Sequence, residues 1–260
     1  AGSRAAAEEL ARVLCANGFD ALVADRDTPT PVVAWTVLDR GLSGALQVTA
    51  SHNPPSYNGI KFVPADGAPA LPDVTDRLAA ELKPPEALAE DRWGSVRELD
   101  FREPYLEHAL SFVDADLDGL AVAHDAMCGS GRGVTDELLS RAGASVTRLR
   151  GERDPEFGGS PPEPTAEHLG ALETAVVEGD AALGVANDGD ADRLAVVTPG
   201  RGVVDPNWVL AALYDYLLET GAGDVVRTVS TTALVDRIAE ANGHAAHETA
   251  VGFKWVGEAM

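Results

Sequence analysis

The sequence predicts an α/β protein made of successive similar α/β domains with mixed parallel sheets. Short apolar segments typical of buried strands alternate with segments of helical spacing along the 260 residues, a pattern that indicates strands joined by helices. The alternation recurs about three times, at intervals of roughly 100 residues, close to the usual size of a domain. We therefore expect three units, over residues 1–97, 98–200 and 201–260.

The first unit opens with a helix that Ser3 can cap and that ends at Asn17 and Gly18. The elements predicted after it are a strand at 21–24, a helix at 31–40, strands at 45–49 and 60–63, and a helix at 71–82. Residues 83–94 begin Lys-Pro-Pro and predict a loop or linker.

The second unit resumes with a helix at 101–112. Its predicted strands are 119–124, 144–149 and 181–186, and the helices between them are 134–141 and 166–178. Residues 151–164 are rich in proline and glycine, which predicts a long irregular loop able to face a ligand or another domain. The third unit is predicted as a helix at 208–219, a strand at 225–229, a helix at 233–241, a strand at 245–249 and a helix beginning near Lys254.

Composition excludes several classes of function. The formal net charge is -22, so general nucleic-acid binding or adhesion to anionic membranes is not expected. Cys15 and Cys128 have no partner spacing nearby, which predicts neither a zinc site nor a disulfide framework. No apolar run approaches the roughly 18 residues of a membrane span, and residues 1–14 lack the apolar centre of a signal peptide. We expect a soluble cytoplasmic protein that captures any anionic substrate locally.

The serine loop, residues 49–62 with the sequence TASHNPPSYNGIKF, follows a predicted buried strand. Its Asn-Pro and Asn-Gly pairs are turn signals, so it could be only a rigid connection. The alternative is a ligand site at Ser51, because α/β sheets place ligands at the carboxyl ends of strands. An acyl-transfer serine is disfavoured, because the glycines of G-x-S-x-G are missing and His52 points elsewhere in most backbone geometries.

The motif NDGDADR, residues 187–193, lies between two apolar segments. An extended or curved loop places Asp188, Asp190 and Asp192 on one side, where their oxygens suit a magnesium-type cation. An EF-hand is excluded, because positions six and twelve of the loop hold arginine and proline. A solvated acidic turn remains the alternative. Arg193 could hold a phosphate or sugar oxygen beside the metal.

Two further stretches are weaker signals. Residues 251–256, VGFKWV, contain Gly252, which allows close approach of the backbone, and Lys254, one of three lysines. Taken alone, a lysine beside aromatic residues more often marks the exposed start of a helix. The glycine-rich segment 125–133 matches neither G-x-G-x-x-G nor G-x-x-x-x-G-K-[ST], so nucleotide binding is not supported.

Together and in this order, the serine loop, NDGDADR and VGFKWV resemble the α-D-phosphohexomutase family, which includes phosphoglucomutase and phosphomannomutase. The resemblance implies that family's four-domain architecture, with 1–97 as most of domain I, 98–200 as domain II and 201–260 as the start of domain III. We expect the chain to be a fragment that lacks both ends of the family's usual length.

The resemblance also implies roles for individual residues. Ser51 would carry a phosphoryl group and, with Asp188, Asp190 and Asp192, hold Mg²⁺. Lys61 matches a position implicated in general acid/base work, which a lysine does best when nearby cationic groups and metal lower its pKa. His52 and Asn53 would support the loop, and His52 is counted with Ser51 and Lys61 among the catalytic residues. The residues that would contact substrate are Arg193, Asn53, Gly252 and Lys254.

The implied activity is that of an intramolecular phosphotransferase, an isomerase of hexose phosphates. Phosphate would move between carbon 1 and carbon 6 through a glucose 1,6-bisphosphate-type intermediate, with glucose phosphate preferred over mannose or glucosamine phosphate. Two other classes stay open, namely a magnesium-dependent phosphatase and a noncatalytic fragment that binds sugar phosphates.

Overall fold

The computed structural model describes residues 2–54, 56–84, 86–112 and 116–260, and it confirms the α/β class. Pro55 of the serine loop and Pro85 of the predicted linker lie outside the described residues. The helices are α1 (Ser3–Ala16), α2 (Thr30–Asp39), α3 (Pro72–Ala80), α4 (Arg102–Phe112), α5 (Thr135–Arg141), α6 (Gly170–Val177), α7 (Pro206–Glu219), α8 (Leu234–Ala241) and α9 (Phe253–Ala259). The strands are β1 (Ala21–Ala24), β2 (Gly44–Thr49), β3 (Gly59–Pro64), β4 (Val96–Leu99), β5 (Ala121–Asp125), β6 (Ser145–Leu149), β7 (Leu183–Asn187), β8 (Leu194–Thr198), β9 (Gly202–Val203), β10 (Val225–Thr228) and β11 (Ala246–Thr249).

The chain divides into two compact units, Ala1–Gly202 and Val203–Met260, with the division inside β9. In the first unit β1 pairs with β4 in parallel, and β2 pairs with β3 antiparallel. A larger sheet has the strand order β6-β5-β7-β8-β9. Strand β5 is parallel to β6 and β7, whereas β7 and β8 are antiparallel. The sheets are therefore mixed, as the sequence predicts.

Apolar contacts between distant parts of the chain hold the first unit together. Val32, Phe101, Leu106 and Val134 form one buried cluster from separate parts of the chain. Helix α6 lies so close to β7 that a Cβ added at Gly184 would be 2.8 Å from Val176 Cγ2. Since β7 is held in this way and Asn187 pairs with Leu194 of β8, residues 188–193 form the connection of a β-hairpin. We call this connection the aspartate loop.

The sequence analysis did not predict β4. The segment Val96–Leu99 carries two charged residues in four and is largely exposed, so it lacks the apolar pattern of a buried strand. The predicted boundary between residues 97 and 98 falls inside this strand. The predicted helix at 166–178 begins as a 3-10 turn at Ala166–His168, and its α-helical part begins at Gly170.

The second unit contains α7, α8 and α9 with the parallel pair β10 and β11. Ala211, Tyr214, Val235 and Ala239 form its buried core, and they bring α7 against α8. Among the described residues of either unit, no helix combines the length and apolar character needed to cross a membrane.

Candidate active site

The serine loop leaves β2 in a tight turn. Ser51 has a φ of 52°, in the left-handed region that few residues other than glycine adopt. Its backbone N–H donates to Thr49 Oγ1 at 2.8 Å, and the Asn53 side chain donates to the Ala50 carbonyl oxygen at 3.0 Å. The loop is therefore held by its own polar groups, with Asn53 among its supports.

His52 does not point away from the serine. Its Nδ1 lies 3.3 Å from Ser51 Oγ, so the expectation that adjacent side chains diverge is wrong here. The reason is the left-handed φ of Ser51, a conformation outside the common geometries on which that expectation rested. The His52 imidazole is thus within hydrogen-bond distance of the serine hydroxyl.

The aspartate loop brings its three carboxylates together. Asp188, Asp190 and Asp192 each offer a carboxylate oxygen, and these oxygens lie within 4.8 Å of one another. Asp188 Oδ1 accepts hydrogen bonds from the backbone N–H groups of Asp192 and Arg193, both at 3.1 Å. The loop therefore curls around the first carboxylate, as the alternating spacing predicts.

The two oxygens of Asp190 have different surroundings. Oδ2 accepts hydrogen bonds from Thr30 Oγ1, Thr49 Oγ1 and Lys61 Nζ, each at 2.9 Å. Oδ1 is buried and has no hydrogen-bond partner among the residues that the structure describes. An unpartnered buried carboxylate oxygen is costly, and a bound cation would satisfy it.

The serine and aspartate loops meet at Gly189. Ser51 Oγ lies 3.3 Å from Asp188 Oδ2, so the hydroxyl lies beside the carboxylate cluster. A Cβ added at Gly189 would be 2.5 Å from the Ser51 carbonyl oxygen. On another side, a Cβ at Gly129 would be 2.8 Å from the Gly189 carbonyl oxygen. Glycine is therefore required at 189 for the serine and aspartate loops to approach each other, and at 129 for segment 125–133 to approach the aspartate loop.

Electrostatics of the cluster favour a cation. Burial and the neighbouring carboxylates of Asp190 and Asp192 raise the pKa of Asp188 to about 6, because both disfavour the charged form and together outweigh the backbone hydrogen bond and the charge of Arg193. Burial also opposes ionisation of Asp190, but the hydrogen bond and charge of Lys61 outweigh it and lower the pKa of Asp190. The Lys61 ammonium and the more distant Arg193 guanidinium thus supply two positive charges against three carboxylates and neutralise only part of the cluster.

Lys61 projects from β3 to the same place. Its Nζ donates to Asp190 Oδ2 at 2.9 Å and to Asp192 Oδ2 at 3.1 Å. Burial disfavours its charge, yet the two carboxylates outweigh burial and raise the pKa of Lys61. The direction is opposite to the lowering that suits a general base, because the nearest charges are anionic rather than cationic.

Arg193 lies at the end of the aspartate loop. Its Nε is 3.9 Å from Asp188 Oδ2 and 4.0 Å from Asp192 Oδ1. Its Nη1 donates to Glu163 Oε1 at 3.4 Å, and 44% of its side chain is exposed. The guanidinium is thus beside the cluster and accessible to an anion.

Gly252 and Lys254 belong to the second unit. Gly252 has a φ of 132° and precedes α9, and Lys254 Nζ lies 5.4 Å from the centre of the Trp255 ring. A Cβ at Gly252 would make only ordinary contacts, the nearest at 3.4 Å. Glycine is needed here for the backbone angle, and the close approach of backbone that Gly252 would allow stays a prediction.

The residues of the first unit fit a divalent cation. Three carboxylates and a serine hydroxyl supply the oxygen ligands that magnesium prefers, and the buried Asp190 Oδ1 lacks a partner within the described chain. Ser51, Asn53 and Asp190 line an open cleft of about 1750 Å³. Arg132 and Arg153 also line this cleft, and the sequence analysis did not identify them.

Some residues of the site had no recognisable signal in the sequence. Thr30 donates to Asp190, 160 positions along the chain, and no local pattern marks it. Gly129 belongs to a segment that we examined only for nucleotide motifs. Only a knowledge of which loops meet would have identified either residue.

The chain is similar to proteins of one known family. The chain matches family models described as phosphoglucomutase/phosphomannomutase, alpha/beta/alpha domains I, II and III, over residues 1–88, 103–202 and 205–260. A crystal structure from Thermus thermophilus, assigned as a phosphomannomutase, has a TM-score of 0.86 and 34% identity and covers 97% of this chain and 60% of its own.

Two curated relatives extend the comparison. A phosphoglucosamine mutase of Arthrobacter sp. (strain FB24) is 36% identical over 242 residues, which is 89% of this chain and 52% of the relative. A phosphopentomutase of Thermococcus kodakarensis is 33% identical over 234 residues, covering 88% of this chain and 51% of the relative. The chain thus spans about half the length of these relatives. The three matched domains place it in the phosphoglucomutase/phosphomannomutase group, and the chain belongs to the α-D-phosphohexomutase family.

Proposed function

We propose that this chain forms the phosphoserine and magnesium part of a phosphohexose mutase, which moves phosphate between carbon 1 and carbon 6 of a hexose. The observation that carries the proposal is the 3.3 Å separation of Ser51 Oγ and Asp188 Oδ2, at the edge of a three-carboxylate cluster. A phosphoryl group on this hydroxyl would lie beside the ligands of a cation, as phosphoryl transfer requires.

In the proposed reaction, Ser51 starts as a phosphoserine. The bond between its Oγ and phosphorus breaks as phosphorus bonds to a hydroxyl oxygen of the hexose phosphate. That hydroxyl loses its proton, and Ser51 Oγ gains one. The bisphosphorylated sugar then reorients, and its other phosphate returns to Ser51 in the reverse sequence of bonds.

Asp188, Asp190 and Asp192 would hold the metal with a phosphoserine oxygen. Bound Mg²⁺ would supply charge neutralisation at the phosphoryl group being transferred. His52 Nδ1, 3.3 Å from Ser51 Oγ, is placed to exchange the serine proton. A charged Lys61 can attract the anionic group or donate a proton, and its assignment as the acid/base residue stays a prediction.

Substrate recognition is proposed for the exposed side of the site. Arg193 is accessible beside the cluster, and we keep Asn53, Gly252 and Lys254 as predicted substrate contacts. The relatives are named for glucosamine, mannose and pentose phosphates, so we propose a sugar phosphate as the class and glucose 1-phosphate as the first member to test. Glucose 1,6-bisphosphate is the corresponding phosphoryl donor.

The cytoplasm remains our proposal for the location of the protein. Cys15 and Cys128 both carry free thiols, which fit a reducing compartment.

The test is the site and fate of phosphate on the chain. Incubation with glucose 1,6-bisphosphate and MgCl₂ should phosphorylate Ser51, as located by peptide mass spectrometry, and added glucose 1-phosphate should then remove that phosphate as sugar bisphosphate. Ser51→Ala should abolish labelling. The matched control is Ser56→Ala, which removes an exposed serine of the same loop and should label normally.

Two outcomes would contradict the proposal. Labelling elsewhere than at Ser51, or none under any of these conditions, would reject the phosphoserine mechanism. Release of the Ser51 phosphate only as inorganic phosphate would instead identify a magnesium-dependent phosphatase.

A further inference from the structure

The side chain of Asn187 bridges the two ends of the aspartate loop. Asn187 is the last residue of β7 and is 8% exposed. Its Nδ2 donates to the carbonyl oxygen of Arg193 at 3.1 Å. Because Arg193 directly precedes β8, this hydrogen bond closes the base of the loop that carries all three carboxylates.

Neighbouring groups fix the orientation of the Asn187 amide. A carbonyl oxygen can only accept, so the amide nitrogen must face Arg193 and Oδ1 must face the other way. Thr135 Oγ1 donates to this Oδ1 at 2.7 Å, and His124 Nε2 lies 3.1 Å from it. The hydroxyl and the imidazole N–H are then both donors to one buried oxygen.

The two supporting residues come from separate elements. His124 lies in β5 and is 1% exposed, and Thr135 is the first residue of α5. A Cβ added at Gly131 would lie 3.2 Å from Asn187 Oδ1, so the glycine leaves room for these donors. The orientation of Asn187 is therefore set by the interior of the fold and not by solvent.

We propose that Asn187, held by His124 and Thr135, is a positioning residue for the divalent cation. It fixes the distance between the first and last residues of the aspartate loop, and so the mutual placement of Asp188, Asp190 and Asp192. The identity of the cation rests on the proposed function. The competing explanation is that Asn187 only satisfies buried polar groups, in which case its loss lowers stability and leaves cation affinity unchanged.

The experiment measures cation binding directly. Mn²⁺ binding to the 260-residue chain is followed by electron paramagnetic resonance, and Mg²⁺ binding by calorimetry, at fixed pH and ionic strength. Asn187→Ala should raise the Kd by about tenfold, the lower end of the effect of removing a group that hydrogen-bonds a metal ligand, because Asn187 acts through the backbone of Arg193 rather than on a carboxylate. Since that variant could fail to fold, Thr135→Val provides a second one, which removes one hydrogen bond and should raise the Kd about fivefold.

Thr135→Ser is the matched control, since it keeps the hydroxyl and should bind as the unaltered chain does. Binding of neither cation by the unaltered chain would reject the proposed function and this inference with it. If the unaltered chain binds, an unchanged Kd in folded Asn187→Ala and Thr135→Val would overturn the positioning role alone. An equal loss of affinity in Thr135→Ser and Thr135→Val would also overturn it, because the hydroxyl would then be irrelevant.

Discussion

Replacing Gly189 by alanine tests whether the approach of the two loops is needed for chemistry. The new Cβ would be 2.5 Å from the Ser51 carbonyl oxygen and 3.1 Å from Pro162 Cγ. To restore an ordinary contact of 3.4 Å, the serine and aspartate loops must separate by about 0.9 Å. The obstacle on one side is backbone, so rotation of a flexible side chain cannot relieve the clash.

This displacement acts on the pair of atoms that carries the proposed function. Ser51 Oγ lies 3.3 Å from Asp188 Oδ2, and a shift of about 1 Å at a reacting centre can cost on the order of 100-fold in rate. Overpacking should also lower the free energy of unfolding by about 1–3 kcal/mol. We therefore expect Gly189→Ala to stay folded and to lose roughly 100-fold in phosphoryl transfer to Ser51.

The assay is the initial rate of Ser51 phosphorylation from glucose 1,6-bisphosphate, with urea unfolding of the same preparation. Gly170→Ala is the matched control, because no atom lies within 4 Å of a Cβ there, and it should keep the full rate. Folded Gly189→Ala with a rate within about threefold of the unaltered chain would refute the reasoning, because the loops would then work at the larger separation.

Three further predictions concern charge, packing and pH. Asp190→Asn should weaken Mn²⁺ binding by more than about tenfold, because a carboxylate that would bind the cation is lost. The control Asp180→Asn, at an exposed position, should bind normally. Equal affinities of Asp190→Asn and the unaltered chain would contradict this prediction. Gly184→Ala should lower the free energy of unfolding in urea by about 1–3 kcal/mol, because its Cβ would meet Val176 Cγ2 at 2.8 Å; an unchanged midpoint would exclude the clash. Burial lowers the pKa of His124 below 6.5, so the unfolded chain takes up this proton first, and the contribution of His124 to stability should fall as pH drops below about 6.5. Asp188, whose pKa is raised to about 6, contributes in the opposite direction below that pH. His124→Gln should reduce that fall, and an identical pH dependence would show that His124 is not responsible.

Strand and helix positions were predictable where the pattern is local. The strand predicted at 225–229 is β10 at Val225–Thr228, and the helix predicted at 101–112 is α4 at Arg102–Phe112. Strand β4 was missed because its stability depends on β1, with Ala21 paired to Val96. Its four residues carry no apolar alternation, so only the distant partner makes them a strand.

The candidate active site, too, could be predicted only where the sequence pattern is local. The convergence of Asp188, Asp190 and Asp192 follows from their alternation, since a curved loop turns every second side chain inward. The direction of the pKa shift of Lys61 does not follow, because it depends on which side chains lie opposite β3 after folding. The position of His52 depends on a left-handed φ at Ser51, and residue types alone give no reason to expect it.

The surroundings of Asp190 distinguish a structural ion pair from a prepared cation site. A structural role accounts for Oδ2, which receives donors from α2, β2 and β3 and so ties these elements to the aspartate loop. It does not account for Oδ1, which is buried without a hydrogen-bond partner in the described part of the chain. Burying such an oxygen costs free energy, and a side chain that is apolar, or that has a single polar atom, would avoid this cost. Lys61, one of three lysines in a chain of net charge -22, meanwhile keeps Asp190 ionised. The carboxylate is therefore oriented and charged by the chain's own residues, which is the preorganisation that the proposed magnesium-assisted phosphoryl transfer would need.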